Sequence, residues 1–322
     1  MILTVTPNPA LDKLYWLRSL PEDLGLTEEG SSIRAEKSLT SAGGKGINVS
    51  VFLAAHGIET VAMGFLGGHT GQIILRDLLS RGVSTNFVWI EEENRVNVVL
   101  IVQGKGYHPI HIHEAGPRVD ADALQIFWRK YQRMLSRASY VVLGGALPPG
   151  LSPDFYRELA RAARERGVPV ILHAGGEPML RAVAEGPFLV KPDVREVACF
   201  GDMPMHTEEE VLSAGRKALS LGAHACLVSH HLTGDFLFSP DGIWKFEAKV
   251  SPAAFRNVIG ADDALVGGIL VGLSQGKDLV EAVKYGMAAA EAAAEVDEKL
   301  CLEREKIAEK MELIEVQYKG KP

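Results

Sequence analysis

The chain has 322 residues, 47% of them hydrophobic, and a formal net charge of -7 at pH 7. That length and apolar content suffice for one sizeable α/β core, which argues against a disordered chain, and the acidic balance provides no basic footprint for nucleic acid. With no apolar run of about 18 residues, no leader-like segment before "MILTVTPNPALDK" and only three scattered cysteines (Cys199, Cys226, Cys301), neither membrane insertion nor a disulfide or zinc framework is expected, and a cytoplasmic protein is.

In chain order, "ILTVT" reads as a strand, "INVSVFLAAHG" as a helix, "TVAMGFLG" as a strand, "GQIILRDLLSRG" as a helix and "NFVWI" as a strand. Such alternation predicts βαβ units around a parallel sheet. The rhythm resumes with "YVVLGGALPPG", a helix over "SPDFYRELARAARERG" and the strand "VPVILHAGG"; Ser152 is the expected N-cap, Pro153 the first helical residue and Gly167 the stop. "FLVKPD", a helix from about Glu208 to Gly222, the strand "ACLVS", a hairpin over "GDFLFSPDGIWKFEA" and two closing helices follow. The last of these, "EKLCLEREKIAEKMEL", reads as an ordinary charged helix with a solvated face. Residues 12–40 and 95–114 break the pattern as paired strands with polar loops. Since a hairpin cannot serve as a crossover in a parallel sheet, these two stretches are expected to form a small separate β-layer over the mouth of the main domain.

Three stretches can carry chemistry. In "SAGGKGINVS" (Ser41 to Ser50), glycines lead into an apolar helix, so backbone N–H groups can face a ligand while Lys45 supplies charge; the same pattern also suits a plain turn. "NVIGADDALVGG" (Asn257 to Gly268) places Gly260 and Ala261 at the opening of a small-residue helix, where N–H groups are unpaired and the dipole is positive. Asp262 and Asp263 there fit either a catalytic acid–base group or an N-cap. In "FLVKPDVRE", Asp193 and Glu196 share one face of a helical turn and suit either helix capping or water-mediated Mg²⁺. His111 and His113 share one face of a strand, and without a third ligand they read as residues at a ligand mouth or in solvent.

Taken in order, "TPNPALDK", "AGGKGINVS", "GFLGG", "NRVN", "GGALPPG", "LVKPDVRE" and "NVIGADDALVGG" resemble the PfkB/ribokinase-like carbohydrate kinase family, and within it the 1-phosphofructokinase and tagatose-6-phosphate kinase branch. The resemblance covers essentially the whole chain. It implies a single domain over residues 1–322, a ribokinase-like, Rossmann-type three-layer α/β sandwich with a small β-sheet lid, and ATP with Mg²⁺ as the phosphoryl source. By similarity Asp263 takes the proton of the sugar hydroxyl, and the N–H groups of Gly260, Ala261, Asp262 and Asp263 form the anion hole. Asp12 and Asn48 hydrogen-bond the sugar, Gly43 and Gly44 pack against it, and Lys45 and Arg95 grip the phosphate it already carries. Asn8 and Asn97 join that site. On the nucleotide side the implied positions are Lys191, Ser229, Gly234 and Gly260, with Asp193 and Glu196 for Mg²⁺. Fructose 1-phosphate is the preferred acceptor, with tagatose 6-phosphate as the alternative and a sugar-phosphate-binding protein of impaired kinase activity as a reading from another class. A homodimer through the lid is expected, because sheet edges pair with their twins.

Four positions depart from the family pattern. Asp262 stands where glycine is usual, His173 where Asp is usual and Asp193 where Asn is usual, and "VSHHLTGDF" puts His230 and His231 in a loop that normally holds small residues. Two unit charges about 4 Å apart repel by roughly 4 kcal/mol at an effective dielectric of about 20, so Asp262 is expected to turn away from the phosphates, bind metal or slow the reaction.

Overall fold

The computed structural model describes residues 1–20, 32–102, 109–192, 200, 207–231 and 233–322. Alternation along the first strand, β1 (Ile2–Thr6), divides the core in two. Leu3 and Val5 pack with Phe127, Tyr131, Tyr156 and Leu159, whereas Ile2 packs on the opposite face with Val49, Phe52, Leu265 and Ile269.

The chain continues through β2 (Ala10–Leu17), β3 (Lys37–Gly43), α1 (Lys45–Ala55), β4 (Thr60–Gly67), α2 (Gly68–Ser80), β5 (Ser84–Thr85) and β6 (Val88–Ile90). Next come β7 (Arg95–Val102), β8 (Ile110–His113), α3 (Ala121–Leu135), β9 (Tyr140–Gly144), α4 (Phe155–Arg164), β10 (Val170–His173), α5 (Gly176–Val183) and β11 (Leu189–Val190). The last part holds α6 (Glu208–Ser220), β12 (Cys226–His231), β13 (Gly234–Ser239), β14 (Gly242–Ala248), α7 (Ala261–Ser274), α8 (Leu279–Ala294), α9 (Arg304–Met311) and β15 (Ile314–Gly320).

Among the described residues the main sheet has eleven strands in the order β15, β14, β13, β12, β11, β10, β9, β1, β4, β5, with β6 also on β4. The strands from β12 to β5 run parallel, and β13, β14 and β15 extend the sheet antiparallel. Helices α3 to α6 cover one face and α1, α7, α8 and α9 the other, which is the three-layer α/β arrangement expected. A second sheet of four strands, ordered β3, β2, β7, β8, stands apart over a small core of Leu14, Val99 and Ile101. Among the described residues no helix is long and apolar enough to cross a membrane.

The small residues of α7 set how deeply it packs. A Cβ on Gly267 would lie 2.7 Å from the Phe52 ring, one on Gly268 2.7 Å from Gly286 Cα, and one on Gly272 2.8 Å from Ala282 Cα. Helices α7 and α8 therefore approach at backbone contact.

Three sequence expectations are corrected. Helix α4 starts at Phe155, not Pro153; Ser152 Oγ instead accepts the Asp154 N–H (3.2 Å) in the turn ahead of it. The C-terminal charged run is not one helix with a solvated face: only Arg304–Met311 is helical, Lys299 and Cys301 are buried, and Ile314–Gly320 pairs with β14 as an edge strand. The chain therefore closes with three helices and a strand. Helices α3 and α5 are additional to the elements read from sequence; the Asp120 side chain caps α3 by accepting the Ala123 N–H.

Candidate active site

A parallel sheet directs the carboxyl ends of its strands toward one edge, and ligands bind in the crevice beyond them. Here β1 runs out at Thr6 and Asn8, β9 at Gly144 to Ala146, β10 at His173 and β11 just before Lys191. Opposite these ends stand the start of α7 and the inner face of the four-stranded sheet. The cleft between them measures about 490 Å³ and is lined by Thr6, Asn8, Asp12, Gly44, Lys45, Asn48, Arg95, Asn97, Gly260, Asp262 and Asp263, among others. That volume suits a small polar ligand.

Helix α7 enters the site through Gly260, whose φ of 80° lies in the left-handed region. A Cβ there would sit 2.4 Å from the Lys299 carbonyl oxygen, so glycine is required twice over. Asp263, in the first turn, is buried. Its Oδ2 accepts from Asn48 Nδ2 at 2.7 Å, and its Oδ1 lies 3.0 Å from His173 Nε2. Ala261 directs its N–H to the Val258 carbonyl oxygen at 3.3 Å.

Asn48 is oriented in turn by Lys299, whose Nζ donates to its Oδ1 (3.2 Å), to Asp12 Oδ2 (2.8 Å) and to the Ala42 carbonyl oxygen (2.6 Å). Asn97 Nδ2 donates to the other Asp12 oxygen at 3.0 Å. One continuous set of contacts thus joins the second sheet, the C-terminal segment, α1 and the start of α7. Gly44 lines the cleft with φ 118°, where side-chain-bearing residues are strained. Gly43 sits one residue back, and a Cβ there would overlap the Asp12 carboxylate.

At the other end of the cleft, Arg95 donates from Nε to the Asn8 carbonyl oxygen (3.2 Å) and from Nη1 to that of Glu114 (3.4 Å). Burial pulls its guanidinium below the ordinary value, with Asp12 opposing. Lys45, the first residue of α1, and the stacked rings of His111 and His113 (centroids 5.4 Å apart) also line the cleft. Thr6 Oγ1, Asn8 Oδ1 and Asn97 Oδ1 are buried without hydrogen-bond partners among the described residues. All three residues line the cleft, and a hydroxyl-rich ligand would satisfy those atoms.

The nucleotide-side positions lie behind Asp262. Lys191, fully buried, holds its Nζ 3.3 Å from Asp262 Oδ1 and donates to Ser229 Oγ at 3.0 Å. Ser229 donates to Asp235 Oδ1 at 2.6 Å, and burial raises the Asp235 carboxyl above its usual range while Lys191 opposes. Gly234 opens β13 at a register shift between Ser229 and His231. His230 packs edge-on toward Phe236, with centroids 5.8 Å apart. Asp262 does not simply turn away, because a buried cation answers its charge. Asp193 and Glu196 lie outside the described residues. Two members of the site were missed in the sequence: Lys299, hidden in a charged run, and His173, seen only as a departure. The signal for Lys299 was the apolar trio Leu300, Cys301 and Leu302 beside it.

Comparison with known proteins places this geometry. The pfkB family carbohydrate kinase model matches residues 12–299. A 1-phosphofructokinase of Bacillus subtilis (strain 168) is 32% identical over 294 residues, 91% of this chain and 92% of the relative; one of Borreliella burgdorferi is 29% identical with the same coverage. The crystal structure of a possible 1-phosphofructokinase from Thermotoga maritima superposes with a TM-score of 0.87 at 31% identity, covering 99% of both chains. Phosphofructokinase-2 from Escherichia coli, in complex with substrates and products, shares the fold with a TM-score of 0.83 at 24% identity over 97% of this chain and 98% of its own. The matched region begins at Asp12 and ends at Lys299, the two partners of an ion pair at the cleft, and takes in every lining residue named above except Thr6 and Asn8: the chain belongs to the pfkB family of carbohydrate kinases.

Proposed function

We propose that this kinase transfers the γ-phosphoryl group of ATP to fructose 1-phosphate, giving fructose 1,6-bisphosphate and ADP. The observation that carries the reading is the seat of Asp263, a buried carboxylate in the first turn of α7 that faces a cleft also lined by Arg95 and Lys45. A ketohexose phosphate spans that arrangement, with its phosphate on the two cations and its free primary hydroxyl at Asp263.

Asp263 takes the hydroxyl proton as the sugar oxygen bonds to the γ-phosphorus, and the bond from that phosphorus to the bridging β,γ-oxygen breaks, releasing ADP. The start of α7 offers the N–H groups of Gly260 and Asp262 and the positive helix end to the transferring group, the Ala261 N–H being held by the Val258 carbonyl oxygen. Asp12, Asn48 and Asn97 orient the sugar, each already fixed by a neighbour. On the donor side Lys191 and Ser229 are the residues assigned to the phosphates, and the Lys191 charge offsets that of Asp262. Mg²⁺ bound with the nucleotide would neutralise charge on the phosphates, and Asp193 and Glu196 are the residues that would hold it. The four-stranded sheet acts as the lid of a single domain. Its outer strand leaves Ile110 and Ile112 40% and 54% exposed, which supports a lid-to-lid homodimer, and sedimentation of Ile112→Glu should then show a monomer.

The test is ADP release over a panel of fructose 1-phosphate, tagatose 6-phosphate, fructose 6-phosphate, fructose and ribose. Highest kcat/KM on fructose 1-phosphate is expected. Preference for tagatose 6-phosphate would replace the acceptor, and tight sugar-phosphate binding without turnover would replace the kinase reading by a binding protein.

A further inference from the structure

His173 is fully buried at the end of β10, between two oxygens. Its Nδ1 lies 3.2 Å from the Lys191 carbonyl oxygen and its Nε2 3.0 Å from Asp263 Oδ1. A carbonyl oxygen only accepts, so the first contact is attractive only when Nδ1 carries hydrogen. A neutral ring then turns a bare Nε2 lone pair on the carboxylate.

The rest of the network limits where the remaining proton sits. Lys299 Nζ only donates, which fixes Asn48 with Oδ1 toward the lysine and Nδ2 toward Asp263. Asp263 Oδ2 is therefore an acceptor, and the contact between Oδ1 and Nε2 must hold one hydrogen of its own. We propose that His173 is the positioning residue of Asp263: an imidazolium that donates to the Lys191 carbonyl oxygen and to Asp263 Oδ1, fixing the carboxylate plane and keeping it ionised to receive the hydroxyl proton. The charged groups around the pair are compatible with this. Lys45 stands on α1, Lys191 beyond β11 and Asp262 on α7, and Lys191 and Asp262 neutralise one another; Lys299 and Asp12, reached through Asn48, do the same.

The inference rests on the proposed kinase reading for its consequence but not for its proton count, so two measurements separate them. Nitrogen-15 NMR of the histidine rings in the unliganded protein at pH 7, with His173 assigned by its loss in His173→Gln, should give both ring nitrogens protonated. In Asp263→Asn the ring should become neutral with hydrogen on Nδ1. A wild-type ring carrying a single hydrogen would overturn the proposal, whatever the turnover.

In phosphoryl transfer to fructose 1-phosphate, His173→Gln keeps a donor without charge. Its kcat should fall at least about tenfold with sugar-phosphate KM within about twofold. An unchanged kcat would also overturn it. Absence of turnover in the wild type on every sugar phosphate would instead remove the kinase reading and leave the ring measurement as the deciding result.

Discussion

Two unusual residues, Asp262 and His173, meet at Lys191: one pairs with its ammonium, the other with its carbonyl oxygen. Sequence distance separates the three, so from the chain alone Asp262 looked like an uncompensated charge and His173 like an isolated change. Both were visible as anomalies; that they share a neighbour is a property of adjacent strand ends, which no local pattern encodes. The same applies to Glu291 on α8, which sequence leaves as an ordinary helical acid. Burial, with repulsion from Asp235 added, pushes its carboxyl up to about 8, and its Oε2 has no hydrogen-bond partner among the described residues. Its folded value is above the ordinary one. The neutral form therefore stabilises the fold at low pH, and that contribution is lost as pH climbs from about 4.5 through about 8. Glu291→Gln should match the wild type within about 1 kcal/mol at pH 5 and exceed it by roughly 2–5 kcal/mol at pH 9, read from denaturant unfolding at both pH values.

At the scale of elements, periodicity located most of the parallel strands and the helices α1, α2, α4 and α6, because each buries a regular face, while α3 and α5 were not read. The antiparallel hairpin β13–β14 and the separate four-stranded sheet were legible for the same reason. Legibility ended where an element is defined by its partner: β15 is mostly exposed and exists as a strand because β14 supplies its ladder. Phe155 rather than Pro153 begins α4, with Asp154 rather than Ser152 ahead of it, because Ser152 closes a turn there. The sequence marks α7 as a small-residue helix, and its glycines let it approach α8 and Phe52, which fixes the depth of Asp263. Gly268→Val would have to displace the Gly286 backbone, so it should destabilise the protein by about 1–3 kcal/mol and lower kcat together with it, measured by denaturant unfolding and turnover. Stability equal to the wild type would mean that the helices part without cost.

For the molecule as a whole, the site is assembled from chain ends. Asp12 and Lys299 lie far apart in sequence, and their contact draws the second sheet, the Gly43–Gly44 turn and the C-terminal segment onto one cleft. Sugar-side motifs near the N-terminus were readable because glycines and an asparagine in close spacing mark them. Lys299 was not, since the apolar trio Leu300, Cys301 and Leu302 that marks it as buried sits inside a charged run. Lys299→Met should leave the Asp12 carboxylate buried without its cation, costing about 3–5 kcal/mol of stability and raising the sugar-phosphate KM. Unfolding midpoints and initial-rate kinetics check both effects, and an unchanged KM would detach Lys299 from substrate binding.

The central claim is that Asp263 accepts the proton of the sugar hydroxyl. Its most direct test is turnover of Asp263→Asn on fructose 1-phosphate and ATP, beside sugar-phosphate affinity measured calorimetrically. The account predicts a kcat at least about 10²-fold below the wild type with affinity little changed, since asparagine keeps the shape and loses the base. Wild-type turnover in this variant would contradict it.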